Sequence, residues 1–565
     1  MHYAELRRAR EELTGPGGQF EVIEVEVRGQ MLRTFKNAPP SVREFWLSTA
    51  AFGDLPYLIY DDDVLTYAQA HDQVRAIAAW LWDRGIRPGD RVAIAMRNYP
   101  EWLTIYWACC AIGVAAVGMN AWWTAEEMDF AFTDSAPKVL FADKERLDRY
   151  LASEAHGGSI PAVGIRVADL PAGAIPYADV IAHPGALPDV TVDPDADACI
   201  FYTSGTTGFP KGAQLTHRGC ITNLLNMAYA STSGSLATER ATGVPAPTVP
   251  PSPTVLITTP LFHVTANNCG AYLTTAMGGK IVMMYRWDAG EALRLIEAHK
   301  INTMSGVPVM AREVINHPDF DKTDTSSLLG LSGGGAQVPP DQVLEIERKV
   351  PTARPSTGYG MTETCGIITS VGADFFVDRP ASCGPAMPTF AVKVVDDEGN
   401  ELPPGEAGEL WVKGGAVIKG YINRPEATEA AITDGWLHTG DIARIDEDGF
   451  IFIVDRKKDL VIRGGENISC TEVEAIVYRH SAVAECSVFG VPDDRLGEEV
   501  GIAVYLKPGQ TLDQNDLQKH CLDSASKHKV PRYVWFLEQP LPRNASGKFL
   551  RRELRDELSK TVVEA

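Results

Sequence analysis

From Arg91 onward, apolar and polar residues alternate along the chain in segments of two lengths. Short runs rich in Val, Ile and Ala, such as RVAIAM and KVLFAD, are typical of buried strands, and longer amphipathic stretches such as AEEMDFAFTDSA are typical of helices. The alternation predicts βα units, parallel sheets and hence an α/β fold. The longest uncharged run, Leu103 to Met119, contains two glycines and is slightly short for a bilayer span. We predict a buried helix leading into a strand there, and no transmembrane segment.

The segment from Ser231 to Pro253, STSGSLATERATGVPAPTVPPSP, interrupts this alternation. Its content of Ser, Thr and Pro is unfavourable for a helix or a central strand. We predict an exposed excursion. A surface loop is the first interpretation, and a functional cover over a pocket mouth or an oligomer contact is the second.

The pattern changes again at DRKKD, Asp455 to Asp459, which follows the strand-like run IFIV. Beyond it, SCTEVEAIVYRH predicts a helix with Ser469 at its N-cap and Glu472 three residues on, the arrangement of a capping box. Hairpin-like strands and a final helix follow. A chain of 565 residues is too long for one core, so we predict an N-terminal domain of residues 1–457 and a C-terminal domain of residues 458–565.

Composition and charge narrow the range of partners. The hydrophobic share of 45% and the charged share of 22% are ordinary for globular domains, whereas a net charge of −22 disfavours binding to nucleic acid. The 10 cysteines form no C-x-x-C pair.

The N-terminal MHYAELRRAREEL lacks the apolar core of a signal peptide, and the C-terminal TVVEA carries no peroxisomal signal. We expect a cytoplasmic location.

The sharpest local signal is YTSGTTGFPKGA, which begins at Tyr202 directly after the strand-like run ACIF. Its backbone N–H groups and hydroxyls are suited to ring phosphate oxygens, and its lysine adds a positive charge. It is not a Walker A loop, because Pro210 stands where that motif requires Gly and Gly212 where it requires Ser or Thr. Taken alone, an ordinary turn is the alternative. The residues of the predicted polyphosphate site are Thr203, Ser204, Gly205, Thr206, Thr207, Gly208 and Lys211.

Five further stretches, taken together with the YTSGTTGFPKGA loop, form a set of motifs that can be compared with known families. They are LSGGGA, TGYGMTET, GWLHTGD, DRKKDLVIRGGENIS and PRNASGK, beginning at Leu331, Thr357, Gly435, Asp455 and Pro542. In this order they resemble the motifs of the adenylate-forming superfamily of acyl-CoA synthetases, luciferases and peptide-synthetase adenylation domains. The resemblance spans residues 45 to 560, roughly, and is closest to AMP-forming fatty acyl-CoA or aryl acid-CoA ligases. It implies a large N-terminal domain of parallel-rich sheets flanked by helices, with a smaller barrel-like β part, and a small α+β C-terminal domain joined by a hinge.

The stretch TGYGMTET is suited to bind a nucleotide. Its glycines allow the ring of Tyr359 to lie flat against a planar partner. The resemblance implies that adenine stacks on Tyr359, that Thr362 contacts the α-phosphate and that Glu363 holds Mg²⁺, a cation that prefers oxygen ligands. A core tyrosine is the alternative for Tyr359 alone. Four glycines would let the backbone approach the adenine closely, and tight turns are the alternative. They are Gly333, Gly334, Gly335 and Gly358.

Further nucleotide contacts are implied near the C-terminal part of the chain. Asp441 in GWLHTGD would accept ribose hydroxyls with Arg456 beside it; a turn-capping Asp and a surface Arg are the alternatives. Lys548 in PRNASGK would bridge the substrate carboxylate and the ATP phosphates, whose charges repel each other. An exposed, solvated lysine is the alternative.

The resemblance also implies a change of domain orientation between two half-reactions. Lys458 matches the hinge position of the family. Rotation there would withdraw the catalytic lysine and bring Gly464 and Gly465 toward the path of the coenzyme A thiol, although a tight turn explains the two glycines equally well.

The acid-binding pocket is the least determined part of the sequence. PLFHVTANN from Pro260 matches the family segment beside the carboxylate pocket, with a histidine at its gate. Thr357 stands where many relatives carry Gln, Glu or Asn, which weakens any transfer of specificity. The implied pocket residues are His263, Val264, Ser305, Gly306, Val307 and Met361.

We therefore predict an AMP-forming acid:coenzyme A ligase that uses ATP, Mg²⁺ and coenzyme A. A medium- or long-chain fatty acid is the first choice of substrate and an aryl acid the second. Other readings are an adenylation enzyme that charges a carrier protein, an acyl-AMP ligase, a luciferase-like oxygenase and an inactive nucleotide-binding homologue. The end of the chain 17 residues after Lys548 disfavours a fused carrier segment. A homodimer is a candidate assembly.

Overall fold

The structure is a computed structural model that describes residues 3–203, 210–244, 252–335, 338–457, 459–464, 466–493, 495–545 and 547–563. The chain divides into two compact units. Unit 1 comprises Met1–Val338, Gln342–Ala391 and Val412–Leu437, and unit 2 comprises Pro339–Asp341, Val392–Trp411 and His438–Ala565.

The elements alternate along most of the chain, as the sequence pattern predicts. The strands are β1 (Val22–Val27), β2 (Gln30–Phe35), β3 (Pro56–Tyr60), β4 (Asp63–Thr66), β5 (Arg91–Ala95), β6 (Ala115–Gly118), β7 (Val139–Asp143), β8 (Ala162–Ile165), β9 (Ile175–Pro176), β10 (Asp197–Thr203), β11 (Lys211–Thr216), β12 (Thr254–Ile257), β13 (Lys280–Met283), β14 (Thr303–Gly306), β15 (Gly330–Gly334), β16 (Arg354–Met361), β17 (Gly366–Gly372), β18 (Gly384–Pro385), β19 (Phe390–Val395), β20 (Gly408–Gly414), β21 (Ile432–Thr433), β22 (Trp436–Ile445), β23 (Phe450–Arg456), β24 (Val461–Arg463), β25 (Glu466–Ile468), β26 (Val483–Asp493), β27 (Gly497–Leu506) and β28 (Tyr533–Leu537).

The helices occupy the intervals between these strands. They are α1 (Tyr3–Thr14), α2 (Val42–Ser48), α3 (Tyr67–Asp83), α4 (Pro100–Ala111), α5 (Ala125–Ser135), α6 (Lys144–Leu151), α7 (Tyr177–Ile181), α8 (His217–Thr242), α9 (Tyr272–Ala276), α10 (Ala289–His299), α11 (Pro308–Ile315), α12 (Pro340–Lys349), α13 (Asp374–Asp378), α14 (Pro425–Ala431), α15 (Cys470–Val477), α16 (Gln514–Leu522), α17 (Arg551–Leu558) and α18 (Lys560–Val563).

Unit 1 contains two sheets that are mostly parallel. The first has the order β11-β10-β6-β5-β7-β8-β9, with β11 antiparallel at its edge. The second has the order β17-β16-β15-β14-β12-β13-β3-β4, with antiparallel strands at both edges. The predicted α/β fold with parallel-rich sheets is therefore confirmed. Because parallel strands end at the same edge, the loops that follow β12, β14, β15 and β16 gather on one side of the second sheet.

The cores of unit 1 explain the apolar runs. Helix α4 is buried all round and contributes Trp102 and Trp107, both fully buried. It leads through a short turn into β6, so the predicted buried helix and strand over Leu103–Met119 are confirmed. Within the part of the chain that the structure describes, no helix combines the length and apolar content needed to cross a membrane.

Two further sheets include strands of unit 2. Residues 392–411 and 438–456 contribute to a sheet with the order β23-β22-β20-β19, and the second has the order β25-β24-β27-β26 with β28 beside β27. The Ser469 hydroxyl accepts a hydrogen bond from the Glu472 N–H, which confirms the predicted N-cap of α15. The Glu472 carboxylate pairs with Lys529 at 2.7 Å.

The prediction of an exposed excursion from Ser231 to Pro253 is wrong for its first half. Residues 231–242 continue helix α8, in which Ser233 and Ala237 are buried, and Arg240 pairs with Glu12 of α1 at 2.6 Å. Prolines begin only at residue 245, and Ala, Leu, Glu and Arg in the preceding turns are good helix formers. Gly243, with φ of 71°, ends the helix in a left-handed cap. Residues 245–251 lie outside the described ones.

The division into units differs from the predicted boundary, because residues 392–411 and 438–457 group with the C-terminal part. Strand pairing keeps β19, β20, β22 and β23 together, and β23 contacts helix α15, where the Ser469 hydroxyl donates to the Val454 carbonyl at 2.9 Å. The predicted hinge residue, Lys458, lies outside the described residues. Its role stays a prediction.

Candidate active site

The predicted phosphate loop connects two antiparallel strands at the edge of the first sheet. Thr203 ends β10 and lies opposite Lys211, the first residue of β11. The Thr203 hydroxyl donates to the Lys211 carbonyl at 3.5 Å. The structure therefore brings together the two ends of the motif, while the intervening Ser204, Gly205, Thr206, Thr207 and Gly208 lie outside the described residues.

The predicted adenine-side glycines meet at the carboxyl edge of the second sheet. Gly333 lies beside Thr357, and Gly334 beside Gly358, in the parallel pair β15–β16. The Thr357 hydroxyl donates to the Gly333 carbonyl at 3.1 Å, so this residue fastens the two strands where they end.

The space around these glycines differs from one to the next. A methyl group on Gly333 would overlap Val338, so this glycine allows close packing inside the protein. Among the described residues, a methyl group on Gly334 meets no atom within 4 Å, so the backbone there has an open face toward that part of the chain. Gly335 turns the chain with φ of 74°. The structure thus supports a packing or turn role for two of the glycines and an open face at Gly334.

Tyr359 lies near the end of β16, opposite Thr369 of β17, and is half-buried. A register shift between Tyr359 and Gly360 bends the strand at this point. A methyl group on Gly360 would overlap the carbonyl oxygen of Gly366. The close approach of these two strands therefore requires glycine beside the tyrosine.

Thr362 and Glu363 form a buried turn directly after β16. Their exposed fractions are 6% and 7%. The hydroxyl of Tyr421 donates to Glu363 Oε1 at 2.8 Å, and the Ile418 N–H donates to the Glu363 carbonyl at 3.0 Å. Burial, followed by the charge of Glu363, raises the pKa of Tyr421 well above its ordinary value, so the phenol stays a proton donor.

The amino group of Lys211 lies over the same tyrosine. Its Nζ is 5.1 Å from the centre of the Tyr421 ring, within the range of a cation–π contact. One aromatic side chain therefore touches both the lysine of the phosphate motif and the predicted magnesium ligand. Neither the phosphate motif nor TGYGMTET contains this tyrosine, which sequence reasoning missed.

The predicted pocket residues surround the same sheet edge. Ser305 and Gly306 end β14, where Gly306 lies beside Gly333. The Thr258 hydroxyl donates to the Ser305 carbonyl at 2.7 Å. Val307, 4% exposed, precedes α11. Met361 ends β16.

His263 lies in the turn that follows β12, next to buried Val264. Its Nδ1 accepts a hydrogen bond from the Thr265 N–H at 3.3 Å, so the neutral ring carries its proton on Nε2. A π-helical segment, Thr265–Ala271, begins immediately afterwards. Such segments are rare and often lie at functional sites.

In unit 2, Asp441 and Arg456 are direct neighbours. They face each other across the antiparallel pair β22–β23, and Arg456 Nε lies 3.5 Å from Asp441 Oδ1. The Asp441 side chain is 9% exposed and that of Arg456 is 64% exposed. The structure thus brings the two predicted ribose contacts together.

Lys548 lies in a closed loop between β28 and α17. The Asn544 N–H donates to the Lys548 carbonyl at 2.8 Å, and the Lys548 N–H donates to Asn544 Oδ1 at 3.0 Å. Arg543 supports the loop by donating to the Gly547 carbonyl and to Glu485, at 2.9 and 2.6 Å. The backbone of the lysine is therefore held in a defined turn.

Gly464 begins the turn between β24 and β25. Its φ is 60°, and its N–H donates to the Leu496 carbonyl at 2.7 Å. A tight turn therefore accounts for this glycine, and its place on a coenzyme A path stays a prediction. Gly465 lies outside the described residues.

Comparison with known families identifies the chain. Residues 45–422 match the sequence model of the AMP-binding enzyme family, and residues 472–548 match that of the AMP-binding enzyme C-terminal domain. The chain belongs to the AMP-binding enzyme family. The predicted membership of the adenylate-forming superfamily is thereby confirmed, and the protein is an AMP-forming acid–thiol ligase.

Named relatives of this AMP-binding enzyme include ligases of both aryl and aliphatic acids. A feruloyl-CoA synthase from Amycolatopsis sp is 35% identical over 494 residues, 87% of this chain and 93% of the relative. A long-chain-fatty-acid–CoA ligase from Escherichia coli O6:H1 is 33% identical over 548 residues, 91% and 93% of the two chains. The solved structure of o-succinylbenzoate coenzyme A synthetase from Bacillus subtilis with ATP and magnesium ion has a TM-score of 0.74 and 28% identity, covering 91% of this chain and 99% of that one.

Proposed function

We propose that this AMP-binding enzyme joins an apolar carboxylic acid to coenzyme A through an acyl adenylate. It uses ATP, Mg²⁺ and coenzyme A. In the first step, a carboxylate oxygen attacks the α-phosphorus of ATP, and pyrophosphate leaves with the electrons of the broken P–O bond. In the second, the thiol sulfur attacks the acyl carbon, AMP leaves, and the thiol proton passes to the surrounding water or to a base.

The observation that carries this proposal is the meeting of two nucleotide motifs, LSGGGA and TGYGMTET, at one edge of the second sheet. The open face at Gly334, the half-buried ring of Tyr359 and the buried Glu363 follow one another along the ends of β15 and β16. We assign the stacking of adenine to Tyr359, the α-phosphate to Thr362 and the other phosphates to Lys211 and the loop before it. Asp441 and Arg456 hold the ribose.

The residues present suit a magnesium ion held largely by its nucleotide. Glu363 offers a buried carboxylate, and Mg²⁺ is usually bound by one or two carboxylates together with substrate phosphates and water. In the described ranges, no group of three His, Cys, Asp or Glu side chains is placed to hold a metal on its own. We assign Glu363 as the protein ligand. When bound, the ion neutralises phosphate charge.

Lys548 serves the first half-reaction in this proposal. An ammonium group between the carboxylate and the phosphates reduces the repulsion between two anions that must approach each other. Rotation of the C-terminal domain about Lys458 then withdraws Lys548. The same rotation brings the thiol path beside Gly464 and Gly465 into its place. His263 borders the acid and the thiol at the mouth of the pocket.

A medium- or long-chain fatty acid is the substrate we propose first. The apolar side chains of the predicted pocket residues Val264, Val307 and Met361 suit an apolar chain, and a long-chain-fatty-acid–CoA ligase is among the relatives. An aryl acid is the second candidate, favoured by the similarity to a feruloyl-CoA synthase. Both are apolar carboxylic acids that the same adenylation chemistry accepts.

Pyrophosphate release from Mg-ATP, measured across a panel of fatty, aryl and short acids with and without coenzyme A, tests the proposal. Acid-dependent release that turns over with coenzyme A and yields a thioester is the expected result, and the panel ranks the acids. Release without thioester would favour the charging of a carrier protein. If a folded protein that binds ATP releases no pyrophosphate with any acid of the panel, the result would favour an inactive homologue.

A further inference from the structure

We propose that Tyr421 is a positioning residue that sets the Glu363 carboxylate and the Lys211 ammonium in place for Mg-ATP. The inference rests on the proposed function, because it takes these two groups as the protein's contacts to the metal and the phosphates. Tyr421 belongs to the segment GYINRPEAT, which comes after all the residues of unit 1 assigned above.

The hydrogen bond to Glu363 fixes the direction of the carboxylate. The phenol donates to Oε1 at 2.8 Å, so one oxygen is anchored and the lone pairs of Oε2 are directed elsewhere. Hydrogen bonds to charged groups are stronger than those between neutral ones. Partners of this kind, which touch a metal ligand but not the metal, commonly decide the affinity of the ion.

The face of the Tyr421 ring contacts the positively charged partner, Lys211. Lys211 Nζ lies 5.1 Å from the ring centre, where the negative face of the ring attracts a cation without removing its charge. Among the described residues, Lys211 and Glu363 thus meet through Tyr421 rather than in a direct ion pair. A direct pair would neutralise both groups before ATP arrives. The tyrosine keeps the cation available to phosphate and the anion available to Mg²⁺.

The backbone around Tyr421 is held by β11, the strand that begins with Lys211, and by the backbone of Glu363. The segment 418–422 runs antiparallel to β11: the Lys419 N–H donates to the Gln214 carbonyl at 3.0 Å, and the Gln214 N–H donates to the Gly420 carbonyl at 2.9 Å. At its other end, the Ile418 N–H donates to the Glu363 carbonyl at 3.0 Å. The segment therefore bridges the strand that follows the phosphate loop and the turn that carries the carboxylate.

Tyr421→Phe separates the two contacts, since it removes the hydrogen bond and keeps the aromatic face. We expect the Mg²⁺ concentration for half-maximal pyrophosphate release to rise about tenfold, with the rate at saturating Mg²⁺ within about twofold of the wild type. The same shift is expected in the Mg²⁺ dependence of binding to α,β-methylene-ATP, measured by calorimetry. Tyr421→Leu, which also removes the ring, should weaken binding of the analogue at saturating Mg²⁺ by about threefold more.

Tyr150→Phe is the matched control. Tyr150 is a buried tyrosine of unit 1 whose hydroxyl donates to the Ile160 carbonyl at 3.1 Å and accepts from the Ile160 N–H at 2.9 Å. Loss of this hydroxyl removes two hydrogen bonds to backbone and none to Glu363, and we expect an unchanged Mg²⁺ dependence. In a Glu363→Gln background, Tyr421→Phe should produce no further change in Mg²⁺-dependent binding.

The proposal for Tyr421 is overturned if folded Tyr421→Phe shows the wild-type Mg²⁺ dependence in both measurements, or if only its maximal rate falls. It is also overturned if the wild type fails to bind the analogue. A wild type that binds the analogue but releases no pyrophosphate with any acid would refute the proposed function alone. The shift in Tyr421→Phe would then still support the positioning role.

Discussion

Arg551 and Glu474 form a partly buried ion pair in unit 2, with Nη2 of the arginine 2.7 Å from Oε1 of the carboxylate. Nη1 of the same guanidinium lies 3.1 Å from Asp459. Burial raises the pKa of Glu474, and the charge of Arg551 opposes that shift. The pair joins the start of α17, three residues after Lys548, to helix α15. It therefore secures the base of the loop that carries the lysine.

Replacing Arg551 should destabilise unit 2. Arg551→Met leaves the partly buried Glu474 carboxylate without its cation, which costs about 1–3 kcal/mol. Hydrogen–deuterium exchange of α15 and β26 measures the loss locally. The control is Arg552→Met, because the neighbouring arginine is 67% exposed and pairs at the i,i+4 position with Asp556, which is also exposed; a change within about 0.5 kcal/mol is expected there. Equal protection in both variants would contradict the prediction.

The stability of unit 1 should fall with acid because of His217. This histidine is fully buried, and its Nδ1 accepts a hydrogen bond from the Val42 N–H at 3.3 Å. Burial lowers its pKa to about 4. Since the unfolded chain binds the proton more readily, with a pKa of about 6.5, the stabilisation is fully present above pH 6.5 and is lost as the pH falls toward 4.

The corresponding measurement is urea unfolding at several pH values between 7 and 4. The contribution of His217 amounts to about 3 kcal/mol over that range. His217→Gln removes the titrating group, so its free energy of unfolding should decline less steeply. An identical pH profile for the variant and the wild type would refute the assignment.

Lys548→Ala should separate the two half-reactions. Pyrophosphate formation from ATP should fall about 100-fold or more, as when a charge-stabilising donor is removed from other enzymes. Thioester formation from a supplied acyl adenylate should remain within a few-fold of the wild type. Lys560→Ala, on helix α18 of the same unit, should change neither rate. An equal loss in both half-reactions by a folded Lys548→Ala protein would show that the lysine has another role.

Gly334→Ala should affect nucleotide binding without affecting folding. The added methyl meets no atom of the described residues within 4 Å, so we expect an unchanged unfolding temperature. If adenine lies against this backbone, the KM for ATP should rise about tenfold, the effect of about 1.4 kcal/mol. Gly330→Ala on the same strand is the control, since its methyl makes ordinary contact with Thr303 at 3.7 Å. A wild-type KM for ATP in Gly334→Ala would show that this glycine does not contact adenine.

Much of the architecture could be predicted because it depends on local patterns. The alternation of strands and helices, the buried helix α4 and the Ser469 cap all follow from residues close together in the chain. The nucleotide motifs are equally local. The error at residues 231–242 has the same origin: the composition was averaged over a segment whose prolines lie in its second half, and the burial of Ser233 and Ala237 extended the helix.

The sequence by itself determined the family, the chemistry and the order of the elements. Only the tertiary structure decided which distant side chains meet. Tyr421 and Glu363 are 58 positions apart, and Arg551 and Glu474 are 77 apart. No periodicity or short motif links such residues, because their contact depends on which strands pair and how the chain returns to them. The physical reason is that local propensity acts over a few residues, whereas burial and strand pairing select partners across the whole chain.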